Sequence, residues 1–161
     1  MNKKVYLCGA IQDMRDGGVR WRDRLTPKLE ELGWTVLDPC KSEANLADGT
    51  VTDAKEIMSG WISAGHWEKF MSHMRRVRET DMDMVRDSDL LIVHLDFSRK
   101  IGGTICEMWD AFMRHIPIYV MTYDPAKDWN HWILSMVKDG GAIFDSWSSL
   151  LEAVDEKWGN R

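Results

Sequence analysis

Leu90-Leu-Ile-Val-His-Leu95 is followed, after a short polar break, by Ile101-Gly-Gly-Thr-Ile-Cys-Glu107. The first stretch is an apolar run of strand length. The second opens a helix, expected over Thr104 to His115, on a glycine turn. Strand, glycine turn, helix is the local pattern of an open α/β sheet, whose ligands sit at the carboxyl ends of the strands. Glu107 stands one turn inside that helix, with Met108, Ala111 and Phe112 as its neighbours. A carboxylate in such company needs a polar partner or a pocket. Gly102 and Gly103 let a ligand approach the backbone closely. With Thr104 they also leave free amides at a helix start, which suit a phosphate.

The pattern repeats on both sides. Lys4 to Ala10 is apolar, ends beside Gly9 and reads as a first strand. Trp21, Leu25, Leu29 and Leu32 recur at helical spacing, so Val19 to Leu32 is an amphipathic helix, with Pro27 as a kink or late start. Thr35 to Leu37 is a second strand. Further on come a strand at 116–121, a short helix around Trp129 to Val137, a strand from Ala142 to Phe144 and a last helix. Ser146 caps that helix, and Trp147, Leu150, Leu151, Val154 and Trp158 form its buried stripe. Residues 41–52 are polar and read as loop. Residues 53–78 have helical composition, broken near Gly60 and Gly65, and form a helical insertion. The expected fold is α/β: a five-stranded parallel sheet flanked by helices, Rossmann-like or flavodoxin-like. No repeat or linker divides residues 1–161, so one domain is expected.

Bulk properties narrow the function. Hydrophobic residues are 44% and charged residues 29% of the 161, a globular balance. A net charge of −5 argues against a nucleic-acid polymer as partner, since phosphate backbones need clustered cations. It leaves a nucleotide substrate open. No apolar run is long enough for a membrane span. Met1-Asn-Lys-Lys-Val leads straight into a strand, without a secretory apolar region. Cys8, Cys40 and Cys106 are odd in number and lack metal-type spacing, which fits a reduced, cytoplasmic setting. Most of the nine Trp fall at helical spacing and are expected in the core.

Asp81, Asp89 and Glu107 stand near strand ends. Asp89, after Ser88, reads as a helix-to-strand turn. Asp81 and Asp83 suit either the first turn of a helix or a pocket. Two carboxylates near one bond suit glycosidic chemistry. One attacks or stabilises the anomeric carbon, and the other handles the leaving group's proton.

Val5-Tyr-Leu-Cys-Gly-Ala-Ile11, Asp81 eight residues before Asp89, and Gly102-Gly-Thr-Ile-Cys-Glu107 together resemble the nucleoside 2-deoxyribosyltransferase superfamily. That superfamily includes the 2′-deoxynucleoside 5′-monophosphate N-glycosidases. The resemblance covers most of the chain and is weakest at 41–76. It implies a retaining mechanism through a glycosyl-enzyme ester, with no metal or organic cofactor. Glu107 matches the nucleophile. Asp81 matches the acid that helps the base leave, and Tyr6 an aromatic beside the nucleophile. Ile11 matches a residue beside the base, and Gly9 within the first-strand motif and Gln12 just after it are expected at the substrate. Ile133-Leu-Ser135-Met matches a segment that reaches into the neighbouring subunit's site, so the resemblance implies a homodimer with shared sites and Ser135 near the substrate. The apolar surplus of Trp129, Trp132, Ile133 and Met136 agrees with an interface.

The chain departs from the family at two places. Ile101 stands where transferases tend to have Asp and the monophosphate hydrolases Ser. Gln12 stands where the hydrolases have Arg, and Arg15, Arg20 and Arg22 are candidates to replace it. The main alternative is a catalytically silent nucleotide-binding or sensing protein of the same fold. A dinucleotide glycohydrolase lacks its fingerprint here. His66 and His73 lack a third zinc ligand at the right spacing. His94 and Cys106 read as core residues.

Overall fold

A computed structural model describes residues 3–46, 49–137 and 141–159, with no side-chain detail for 43–46. Five strands form one parallel sheet: β1 (Lys3–Gly9), β2 (Trp34–Leu37), β3 (Leu90–Leu95), β4 (Ile118–Thr122) and β5 (Ala142–Phe144). Their order is β2-β1-β3-β4-β5. Order reverses between β1 and β3, where Gly9 pairs with His94. The loops after these two strands diverge there and leave a crevice for ligands.

The central strands β1, β3 and β4 are mostly apolar because both of their faces are covered. Side chains alternate between faces with period two. Val5 and Leu7 of β1 pack with Leu90, Ile92, Tyr119 and Met121. Helices α1 (Val19–Glu31) and α7 (Trp147–Trp158) supply Leu25, Leu29, Leu150 and Val154 to that layer. Tyr6 and Cys8 point the other way, with Leu91, Val93, Leu95, Ile118 and Val120. The expected stripe of α7 is present, and Ser146 caps it by accepting the Ser149 N–H.

Between β2 and β3 the chain forms α2 (Pro39–Leu46), α3 (Val51–Ser63) and α4 (Trp67–Arg86). This helical excursion is longer than the expected 53–78. Most of α2 lies in the polar stretch read as loop; Pro39 opens the helix and the Asp38 carboxylate caps it at the Cys40 N–H, 2.9 Å away. α3 starts on a Thr50–Asp53 capping box and runs through Gly60. Only Gly65 marks a break, in the left-handed region at φ 73°. α4 continues eight residues past Arg78. Helix α5 (Gly102–Met113) follows β3, and α6 (His131–Leu134) follows β4. α4, α5 and α6 cover the Tyr6–Cys8 face with Val85, Met108, Ala111 and Ile133. Pro27 lies inside α1 without delaying its start. Among the described residues no helix is long and apolar enough to cross a membrane.

Candidate active site

Strand alternation puts Tyr6 and Cys8 under α5, and the helix aims Glu107 back at them. The Tyr6 hydroxyl donates to Glu107 Oε1 at 2.9 Å. The Cys8 thiol donates to Glu107 Oε2 at 2.8 Å. Each carboxylate oxygen therefore has its own donor. Glu107 is only 8% exposed. Burial pushes its pKa up, while the Cys8 and Tyr6 hydrogen bonds and the Arg22 charge pull it down. The pKa values of Tyr6 and Cys8 are themselves raised, first by burial and then by the Glu107 charge. Both groups thus stay protonated and remain donors. A hydrogen bond to a charged group contributes about 1.5–3 kcal/mol, enough to hold the carboxylate in one orientation.

Glu107 opens onto a cavity of 680 Å³ between α5, α4, α3 and the loop after β1. Asp81 lines the same cavity from the C-terminal part of α4 and is buried. It does not lie in a first helical turn. Its charge is among the causes that raise the Tyr6 pKa, which sets it beside the Tyr6–Glu107 pair. Asp83 instead faces outward and pairs with Arg86 at 3.2 Å. Met58, Ile62, Phe70, Met74 and Val77 give the cavity an apolar wall suited to a planar base. Lys55, Arg78 and Lys100 bring positive charge to its lining.

Gly9, Ile11, Gln12, Gly102, Gly103 and Thr104 all line this cavity. Open space surrounds Gly102 and Gly103: a Cβ at either would meet nothing within 4 Å. Ile101 precedes α5 and packs against the core beneath it, and the neighbouring Lys100 takes the lining position. Ser135 lies outside the cavity of its own chain. It is exposed at the end of α6, and its hydroxyl donates to the Trp132 carbonyl at 2.6 Å. Asp89 accepts the Lys4 N–H at 2.8 Å, which ties β1 to the start of β3.

Several residues behave differently from expectation. Cys106 is exposed on the cavity wall, not in the core. Being next to Glu107 on a helix turns it about 100° from the core face. None of Arg15, Arg20 and Arg22 lines this cavity. Arg22 is fully buried and donates to the carbonyls of Gly18 (2.9 Å), Gly9 (3.1 Å) and Leu7 (3.2 Å), with Asp38 Oδ1 at 3.6 Å. It holds the β1–α1 loop in shape. Gly18 makes this possible: at φ 72° its Cβ would lie 2.5 Å from the Ala10 carbonyl and 2.6 Å from Arg22 Nη1. Among the nine Trp only Trp34 is buried, and Trp67, Trp109 and Trp132 are exposed. Cys8 read as plain strand core, yet it contacts the carboxylate directly. Among the described residues no three His, Cys, Asp or Glu side chains are placed to hold a metal.

No protein-family model and no curated protein sequence matches the chain. Solved structures do. A 2-deoxyribosyltransferase from the psychrotolerant bacterium Bacillus psychrosaccharolyticus matches with a TM-score of 0.64 over 92% of this chain and 90% of that one, at 14% identity. The fold is that of a 2-deoxyribosyltransferase. A conserved protein from Enterococcus faecalis V583 shares it, with a TM-score of 0.66 over 98% of this chain and 99% of the other, at 18% identity.

Proposed function

We propose that this chain breaks the N-glycosidic bond of a 2′-deoxynucleoside or its 5′-monophosphate, through a glycosyl ester on Glu107. The observation that carries this reading is the pairing of Glu107 with Asp81 in one cavity, with both Glu107 oxygens held by donors from β1. The shared fold with a 2-deoxyribosyltransferase supports it.

In the first step a Glu107 oxygen attacks C1′ of the sugar. The C1′–N bond breaks as the C1′–O bond forms, and the leaving base nitrogen takes a proton from Asp81. Tyr6 and Cys8 keep the carboxylate aimed and their hydrogen bonds oppose the burial that disfavours its charge. In the second step water, or a second base, attacks C1′. Asp81 accepts the incoming nucleophile's proton and Glu107 leaves as carboxylate. The apolar wall from α3 and α4 sandwiches the base. Lys100, with the free amides at Gly102 and Gly103, suits a 5′-phosphate.

Two copies complete the site in this reading. Trp109, Met113 and Trp132 are 44%, 58% and 67% exposed, and the rings of Trp109 and Trp132 stack at 5.8 Å. This apolar patch spans α5, which carries Glu107, and α6, which ends at Ser135. Its burial in a two-fold dimer brings Ser135 to the partner's cavity.

The test is incubation with a panel of deoxynucleosides and deoxynucleoside monophosphates, with and without a second free base, followed by chromatography. Free base supports hydrolysis and a new nucleoside supports transfer. Intact substrates across the panel overturn the proposal.

A further inference from the structure

A second cavity, of 830 Å³, opens at the same sheet edge on the opposite face. α1 and the loop before it form one side, and His94, Tyr123 and Trp147 form the other. It shares no lining residue with the cavity of Glu107. The β1–α1 loop divides the two: Ile11 and Gln12 face the first, Met14, Arg15 and Asp16 the second.

Four cations line this second cavity: Arg15, Arg20, Arg24 and Lys28. Arg20, Arg24 and Lys28 stand four residues apart on α1 and so form one row along its surface. Like charges at this spacing repel. Among the described residues, Arg15, Arg24 and Lys28 have no carboxylate within ion-pair distance. Asp16 is the one carboxylate among the described lining residues, and its oxygens already accept the N–H groups of Gly18 at 3.1 Å and Arg20 at 3.0 Å. Although the chain carries a net charge of −5, this concave site is lined by four cations and a single carboxylate among the described residues.

The remaining wall is aromatic. Trp21 and Trp147 stack at 5.4 Å and 10°. His94 meets them at 5.4 and 5.5 Å. The Arg22 guanidinium also lies over the Trp21 ring, at 4.4 Å. Tyr123 is 68% exposed and lies 6.2 Å from His94, which leaves its ring available at the rim.

The geometry points to a second ligand site here, for a small compound that joins a planar ring to at least two phosphate charges, such as a nucleoside diphosphate. The volume is that of a small-molecule site. Guanidinium groups bind phosphate oxygens in pairs. The row from Arg20 to Lys28 spans ~12 Å at the helical rise, longer than one phosphate needs. The Tyr123 ring offers a stacking surface for the planar part. The assignment does not depend on the chemistry at Glu107.

Calorimetric titration of the full chain carrying Glu107→Gln, which prevents turnover, tests it with ADP, inorganic pyrophosphate and adenosine as separate probes. ADP is expected to bind at least tenfold more tightly than either of the others. Arg24→Glu with Lys28→Glu is expected to weaken ADP at least tenfold, and Tyr123→Ala to weaken it measurably, with melting curves unchanged. In the chain with Glu107 intact, the same substitutions leave base release unchanged. Failure of ADP to bind at millimolar concentration overturns the site, as does binding indifferent to the charge reversals. Pyrophosphate binding as tightly as ADP overturns the ligand class. Joint loss of ADP binding and base release puts ADP in the catalytic cavity and overturns the second site.

Discussion

The Tyr6 hydroxyl on β1 and the Glu107 carboxylate on α5 are 2.9 Å apart, a contact between residues 101 positions apart in sequence. Strand alternation turns Tyr6 to the α5 face, and β1 sits next to β3, whose following turn starts α5. Sheet order and side-chain period together build the contact.

Removing a donor from Glu107 shifts its titration. Burial is the largest influence on this carboxyl and raises its pKa, whereas the Cys8 and Tyr6 hydrogen bonds lower it. Tyr6→Phe and Cys8→Ala therefore raise it further. The acid limb of kcat/KM against pH moves to higher pH in both variants, and Cys8→Ser moves it back. At neutral pH kcat/KM falls about 10- to 100-fold, the effect of ~1.4–2.7 kcal/mol. Unchanged limbs would assign Tyr6 and Cys8 to packing alone.

Glu107→Gln separates activity from stability. Activity falls at least ~10³-fold, about 4 kcal/mol of transition-state stabilisation. The folded pKa of Glu107 lies above that of an ordinary, solvent-exposed glutamate. Between those two values the folded state binds more protons than the unfolded chain, so native stability falls as pH rises through that window. The Gln variant lacks this term. Thermal melts from pH 4 to pH 7 are expected to show the wild type losing stability relative to the variant as pH increases. A wild-type-minus-variant difference that is constant with pH, or that moves in the wild type's favour towards pH 7, contradicts the raised pKa.

Asp81→Asn tests proton delivery to the base. A neutral base needs protonation to leave, whereas 7-methylguanine leaves from 7-methyl-2′-deoxyguanosine without it. The variant is expected to lose at least ~10²-fold on 2′-deoxyadenosine, within the range of general acid catalysis, and far less on the methylated substrate. Equal losses on both would remove Asp81 from the acid role.

The central strands were legible because both faces of the sheet are buried there, so β3 and β4 read as apolar runs. The cavity position of Glu107 was legible for a related reason: a carboxylate among Met108, Ala111 and Phe112 needs a polar partner or a pocket. Asp81 was harder to place. The helical reading ended at Arg78, while α4 continues to Arg86 and carries Asp81 near its end. α2 was hidden by polar composition, although Asp38-Pro39 is a helix-start signal. Cys8 gave no signal, because a thiol in an apolar strand looks like packing until the facing helix is known. Arg22 was misjudged likewise: sequence shows a cation near a loop, and only the fold turns it inward onto three carbonyls.

Subunit mixing examines the shared site. Glu107→Ala and Ser135→Arg are each expected to be inactive alone. If Ser135 reaches the partner's cavity, a mixed dimer contains one doubly damaged site and one intact site, so activity returns on subunit exchange. No recovery after verified exchange, or a monomer by light scattering at assay concentration, contradicts the arrangement.

Direct capture of the covalent intermediate bears most closely on the proposed chemistry. A 2-fluoro-2-deoxyarabinosyl nucleoside destabilises the oxocarbenium-like transition state and slows release of the sugar ester. Intact-mass measurement after incubation is expected to show one added fluorosugar per chain, with peptide mapping placing it on Glu107. A label on Cys106, or continued turnover of natural substrate with no label at all, would contradict the ester mechanism.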